Sequence, residues 1–142
     1  MISEAFSIGI IGQGFVGKAV YEKFKNFYHV LTFDKKLERC NSTMEEIKDN
    51  CKVIFVCVPT PMNLDGSCDI SIVESVVRDF SNNKDKIIIN KSTVPPGTTE
   101  ILSKKFPKID IIFNPEFLTE RNSINDYNNQ KRIIIGGERP AT

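Results

Sequence analysis

Gly12-Gln13-Gly14-Phe15-Val16-Gly17 follows the apolar run Phe6 to Ile11 and directly precedes a stretch with helical spacing. In that setting the three glycines have separate jobs. Gly12 lets the chain turn sharply off a strand. Gly14 leaves no side chain between the backbone and a pyrophosphate, and Gly17 lets the helix pack close to the sheet. With Gln13, Phe15 and Val16 they form a loop whose bare amides and helix dipole attract a phosphate anion. Asp34 closes a second apolar run, Val30-Leu31-Thr32-Phe33, and lies 22 residues beyond Gly12. A carboxylate there can accept hydrogen bonds from both hydroxyls of an adenosine ribose. It also repels a 2′-phosphate, which predicts NAD rather than NADP as the cofactor. The plain alternative is a glycine-rich turn with no ligand. Glycines, strand, helix and distal acid all agree against it.

These residues need a frame, and strand-like and helix-like segments alternate along the chain. Phe6 to Ile11 is an apolar run interrupted by Ser7 and Gly9, as suits a parallel strand covered on both faces. Phe15 to Phe27 then puts Val16, Ala19, Val20 and Phe24 on one helical face. Ser42 or Thr43 can cap a short helix to Asp49, with Glu45 and Glu46 in its first turn. Lys52 to Val58 reads as the third strand. Asp69 is placed to cap a helix to about Phe80, with Ile72, Val73, Val76 and Val77 facing inward. Ile87 to Asn90 is the fourth strand. Pro96 and Gly97 open a helix from Thr98 to Lys105, which Pro107 ends. Ile109 to Phe113 and Arg132 to Gly136 read as a fifth and sixth strand. Pro59 to Ser67 is a loop. Asn114 to Gln130 is polar and asparagine-rich and reads as a loop, with room for a helical turn or two between Leu118 and Asp126. The fold class expected is α/β: a Rossmann-type, doubly wound, mostly parallel six-stranded sheet with helices on both faces.

In such a sheet ligands bind beyond the carboxyl ends of the strands. That places Gly12 to Gly17, Asp34, Pro59-Thr60-Pro61, Lys91 to Gly97 and Asn114 to Leu118 around the cofactor. Thr60, Ser92 and Thr93 offer hydroxyls to the nicotinamide ribose, and Glu116 and Glu120 are carboxylates beside the nicotinamide. Each has a structural alternative. Pro59 and Pro61 can simply stiffen a loop, Thr93 can cap the following helix, and Glu120 can form a solvated ion pair with Arg121.

Composition narrows the classes. The 142 residues are 40% hydrophobic and 26% charged, which suits one soluble globular domain. A net charge of +1 gives no electrostatic case for nucleic acid or an anionic membrane as a partner. No apolar stretch approaches the ~20 residues that span a bilayer, and the start of the chain does not read as a signal peptide. Cys40, Cys51, Cys57 and Cys68 form no C-x-x-C pair, and the single histidine, His29, has no cysteine nearby. No metal site is expected. Four reduced thiols fit a cytoplasmic protein, with Cys57 a buried small hydrophobe.

The strand-end motifs together resemble the UDP-glucose/GDP-mannose dehydrogenase family. The segments that carry the likeness begin with Gly12 to Gly17, Val58-Pro59-Thr60-Pro61, Asp65-Gly66-Ser67 and Asp69-Ile70-Ser71. They continue with Lys91-Ser92-Thr93-Val94-Pro95-Pro96-Gly97-Thr98-Thr99, Asn114-Pro115-Glu116-Phe117-Leu118-Thr119-Glu120 and Arg132-Ile133-Ile134-Ile135-Gly136. Members resembling this chain oxidise the C6 alcohol of a nucleotide sugar to a carboxylate in two NAD-dependent steps, through a cysteine-bound thiohemiacetal and thioester. The resemblance implies UDP-glucose as substrate and a homodimer for the full-length form. It implies that Thr93 positions a water or the reacting sugar oxygen, that Glu120 acts as general base in thioester hydrolysis, and that Glu116 frames the site. Phe117, Leu118 and Thr119 would lie along the sugar nucleotide through their backbone. Arg39 falls where the family often has a lysine near the adenosine ribose.

The family places its nucleophilic cysteine in a later domain, after a long central helix. Residues 1–142 match only the NAD-binding domain, and none of the four cysteines fits the nucleophile's place. Phe15 stands where the family usually has Tyr, Asn122 where a glycine or serine is common, and the segment between Asp34 and the third strand is short. A stand-alone NAD or nucleotide-sugar binding module is the alternative from another class. Dehydrogenases of the 3-hydroxyacid and 6-phosphogluconate type share the glycines but not Thr93 to Gly97 or Asn114 to Phe117.

Overall fold

The computed structural model describes residues 3–137. The C-terminal Arg139 to Thr142, read as carrying no capping element, lie outside the described residues, as do Met1 and Ile2 of the start. Five parallel strands form one sheet: β1 (Ser3–Ile11), β2 (Tyr28–Phe33), β3 (Cys51–Val56), β4 (Ile87–Asn90) and β5 (Asp110–Phe113). Their spatial order is β2-β1-β3-β4-β5. The chain steps from β1 to one side, then returns to continue on the other. The gap between the ends of β1 and β3 is therefore the switch point at which open α/β sheets bind ligands.

Helices cover both faces, as the apolar runs require. On one face α2 (Met44–Asn50), α3 (Ser71–Phe80) and α4 (Thr98–Lys105) bury Ile47, Val73, Val77, Phe80 and Leu102. They pack on Ile54, Val56, Ile88 and Ile111 of the strands. On the other face α1 (Phe15–Phe24) and α5 (Ser123–Asn129) bring Ala19, Val20 and Tyr127 against Ile8, Ile10, Val30 and Phe55. Strand residues alternate between the two clusters, so every strand is covered twice.

Local chemistry sets the helix ends. Thr43 caps α2 through a reciprocal box: its Oγ1 accepts from the Glu46 amide at 3.2 Å, and Glu46 Oε2 accepts from the Thr43 amide at 2.8 Å. Asp69 lies just before the α3 N-cap, Ile70, and its carboxylate accepts from the Ser71 amide at 2.8 Å. Gly97 starts α4 at a φ of 87°, a left-handed conformation that Thr93 does not share in capping.

Two expectations are corrected. Arg132 to Gly136 is not a sixth strand. Only Gly136 pairs, antiparallel with Phe113. The side-chain amide of Asn114 donates to the Ile134 carbonyl at 2.8 Å, in place of a ladder bond. Ile133, Ile134 and Ile135 are all exposed, so no face of that run is buried to fix a register. Asn114 to Gln130, read mainly as a loop, contains a 3-10 turn at Glu120–Asn122 and the helix α5.

Candidate functional site

The glycine turn has the geometry its residue types require. Gly12 has a φ of 93°, and a Cβ there would overlap the Cys57 carbonyl carbon. A Cβ on Gly17 would run into the Gly12 carbonyl, so the helix can approach the turn only as glycine. Gly14 differs: it is the N-cap of α1, and a Cβ on it would meet nothing within 4 Å. The chain itself does not need Gly14 to be small. The first turn of α1 has no side-chain cap and no acidic residue. Its leading amides are left for an anion, and the open space above Gly14 fits a dinucleotide pyrophosphate.

Asp34 sits opposite, just past β2. Its Oδ2 accepts from the Gln13 amide at 2.7 Å, and its Oδ1 accepts from the Lys36 amide at 2.8 Å. Partial burial raises its pKa. The two amides and the charges of Arg39 and Lys36 outweigh that and hold the carboxyl below its ordinary value, so it stays an anion. Cys40 fixes the same corner: its Sγ accepts from the Asp34 amide and donates to the Asp34 carbonyl, both at 3.1 Å.

A cavity of about 900 Å³ joins these parts at the switch point. That is large enough for a sizeable ligand. Gly12, Gly14, Phe15, Val16, Asp34 and Arg39 line its first half. Pro59, Thr60, Ser92, Thr93, Glu116 and Leu118 line the second. Ser92 spends its hydroxyl on the protein: it donates to the Val58 carbonyl at 2.7 Å and accepts from the Val58 amide at 3.0 Å. Thr60 Oγ1 donates to the Thr93 carbonyl at 2.7 Å, which leaves the Thr93 side chain exposed at the cavity.

Five of the expected residues do not line this cavity. Gln13 is buried, and its side chain donates to the Gly12 carbonyl. Gly17 lies under the turn. Phe117 is exposed and borders a second depression of about 400 Å³. Thr119 donates through its amide and its hydroxyl to Asp126, at 2.9 and 2.7 Å. Glu120 is exposed at the start of the 3-10 turn, and among the described residues neither it nor Arg121 enters an ion pair.

The sequence places Lys91 in a strand-end loop around the cofactor without giving it a role, yet it is the most buried charge in the cavity wall. Its side chain is 2% exposed and forms an ion pair with Glu116 Oε1, itself in a side chain 10% exposed. Lys91 Nζ also donates to Asn114 Oδ1 at 2.7 Å and lies 5.3 Å from the centre of the Tyr127 ring. Burial pushes the Lys91 pKa down, to about 8, against a smaller opposing effect of Cys57. The available signal was a lysine placed directly after the apolar strand run Ile87 to Asn90. Two of the thiols are poor nucleophile candidates: burial pushes Cys51 up to about 11 and Cys57 up to about 12. Among the described residues no cluster of His, Cys, Asp and Glu could hold a metal ion. Among the described residues, too, no helix is long and apolar enough to cross a membrane.

The family model for the UDP-glucose/GDP-mannose dehydrogenase family, NAD binding domain, matches residues 20–142. The chain belongs to this family. UDP-glucose 6-dehydrogenase TuaD of Bacillus subtilis (strain 168) is 34% identical over 112 residues, 72% of this chain and 24% of that protein. The UDP-glucose dehydrogenase structure from Pyrobaculum islandicum superimposes with a TM-score of 0.83 at 24% identity, covering 99% of this chain and 44% of that one. The GDP-mannose dehydrogenase of Pseudomonas aeruginosa gives a TM-score of 0.77 at 22% identity over 92% of this chain and 41% of that one. The chain thus spans about a quarter of the length of that curated relative and under half of those solved structures. The doubly wound sheet is shared with both structures. As the NAD-binding domain of the UDP-glucose/GDP-mannose dehydrogenase family, the chain is a binder of NAD.

Proposed function

We propose that this chain is the NAD-binding part of a nucleotide-sugar dehydrogenase whose substrate is UDP-glucose, oxidised at C6 to the carboxylate in two steps. The observation that carries the cofactor half is the pairing of the open space above Gly14 with the Asp34 carboxylate across the turn. The α1 amides would hold the pyrophosphate. Asp34, kept ionised, would accept from the adenosine ribose hydroxyls, with Arg39 beside it. Pro59 shapes the wall near the nicotinamide ribose, Thr93 presents its hydroxyl there, and the hydroxyl of Thr60 and that of Ser92 hold the loops that carry them. Bound NAD supplies the hydride acceptor. Glu116 offers a fixed carboxylate at the cavity wall, and Phe117, Leu118 and Thr119 continue from it toward the sugar nucleotide. Glu120, exposed beside them, is the proposed base of thioester hydrolysis.

The likeness to UDP-glucose 6-dehydrogenases supports UDP-glucose over GDP-mannose. The thiol that the two-step oxidation needs is proposed to come from a further domain, reached through a central helix, with dimerisation of the whole enzyme. Cys51 and Cys57 stay protonated at neutral pH, which supports that division. Titration of the chain with NADH, followed by fluorescence energy transfer or calorimetry, tests the cofactor half. Saturation is expected, and no saturable binding at millimolar NADH would remove the proposal. NADH formation by the whole enzyme, compared between UDP-glucose and GDP-mannose, tests the substrate.

A further inference from the structure

Glu116 Oε2, like Oε1, is a buried anionic oxygen with no hydrogen-bond partner among the described residues. Such an atom carries a desolvation penalty, which an opposite charge in contact offsets. Oε1 is ion-paired with Lys91, and Lys91 is held in turn by Asn114 Oδ1 and the face of Tyr127. Glu116 and Asn114 come from the loop after β5 and Tyr127 from α5, so two separate elements converge on an ammonium carried just past the end of β4.

We infer that Lys91 is a positioning residue: its ammonium keeps Glu116 ionised and fixes the orientation of that carboxylate in the cavity wall. This rests on the dehydrogenase reading for its chemistry, but the pairing itself is a property of the chain. Asn114 and Tyr127 act on Lys91 and not on the ligand. Tyr127 is also buried among Ala19 and Val20 of α1, so the same ring anchors α5.

The other titratable groups around the pair are Cys57 and Tyr127, each pushed up to about 12 chiefly by burial and so neutral near pH 7. Coupling between Lys91 and Glu116 is therefore readable without a third charge. An opposite charge in contact moves a carboxyl down by about one to three units. Carbon-13 NMR of the Glu116 carboxyl, assigned with Glu116→Gln, measures this directly. In Lys91→Met the Glu116 midpoint should rise by about one unit or more, and Lys91→Arg should restore it. An unchanged midpoint in folded Lys91→Met would overturn the inference. Should Lys91→Met not fold, nitrogen-15 NMR of Lys91 Nζ decides between wild type and Glu116→Gln. Removing the carboxylate should lower the lysine midpoint by a similar amount, and no movement would overturn the inference. NADH titration of the wild-type chain reports separately on the cofactor reading, so the two can fail independently.

Discussion

The Asp34 carboxylate accepts a 2.7 Å hydrogen bond from the Gln13 amide, tying the end of β2 to the glycine turn after β1. One residue thus reads two neighbouring strand ends. The acid proposed to accept from the ribose is oriented by the turn that would hold the pyrophosphate. Lys36 and Arg39 stand beside it as cations.

Replacing that acid separates the two dinucleotides. Asp34→Ala should weaken NAD by about tenfold, the loss of about 1.4 kcal/mol of charge-assisted hydrogen bonding. NADP should lose less or gain, because Lys36 and Arg39 would then face the 2′-phosphate without an opposing carboxylate. Dissociation constants for both cofactors by calorimetry check this. Equal losses would contradict the ribose role.

Two glycine substitutions should have opposite profiles. Gly17→Ala forces a Cβ into the Gly12 carbonyl and should destabilise the fold by a few kcal/mol, about 1–3 by the cost of overpacking. Gly14→Ala meets no protein atom within 4 Å and should leave the urea midpoint within about 0.5 kcal/mol of wild type. It should nonetheless weaken NADH about tenfold by crowding the pyrophosphate. A Gly14→Ala protein that binds NADH normally would show that the space above that residue is not used.

Stability should fall in acid. Hydrogen bonds from Thr119 hold Asp126 below its ordinary 3.8, and Asp34 is held below it as well. Their folded pKa values lie under the unfolded ones, so near and below pH 4 the unfolded chain binds more protons. Their stabilisation is present above pH ~5 and is lost as pH falls through the depressed values. Urea midpoints should be level from pH 7 to 5 and drop from pH 4 to 3, with a smaller drop in Asp126→Asn. A level midpoint to pH 3 would contradict this.

The α2 cap offers a test of local structure. Thr43→Ala removes the acceptor of the Glu46 amide and should lower stability by about 1 kcal/mol. Urea denaturation checks it; a loss under about 0.3 kcal/mol would show that Ser42, which donates to Glu46 Oε2 at 2.8 Å, takes over the cap.

Most of the frame was legible because each strand is buried on both faces and announces itself as an apolar run. Ile87 to Asn90 and Thr98 to Lys105 coincide with β4 and α4 as found. The run Arg132 to Gly136 has the same composition but misled, since its isoleucines are exposed and only Gly136 reaches β5. Periodicity shows what can be buried and not what lies opposite to bury it. Helix α5 was hard to see for the converse reason. Its asparagines give no apolar period, and it is held by Asp126 bonded to Thr119 and Asn122 and by one buried ring, Tyr127. At the site, Gly12 and Gly17 were readable because the backbone leaves no room for a Cβ there, and Gly14 and Asp34 because their spacing fits a dinucleotide-binding turn. Lys91 was not read as a site residue, since its meaning depends on Glu116, Asn114 and Tyr127, which only the folded chain brings to it.

Crystals of the chain soaked with NAD test the central claim most directly. The account predicts pyrophosphate density against the first amides of α1, above Gly14, with the adenosine ribose on Asp34. Density elsewhere, or a protein side chain filling that space, would contradict it.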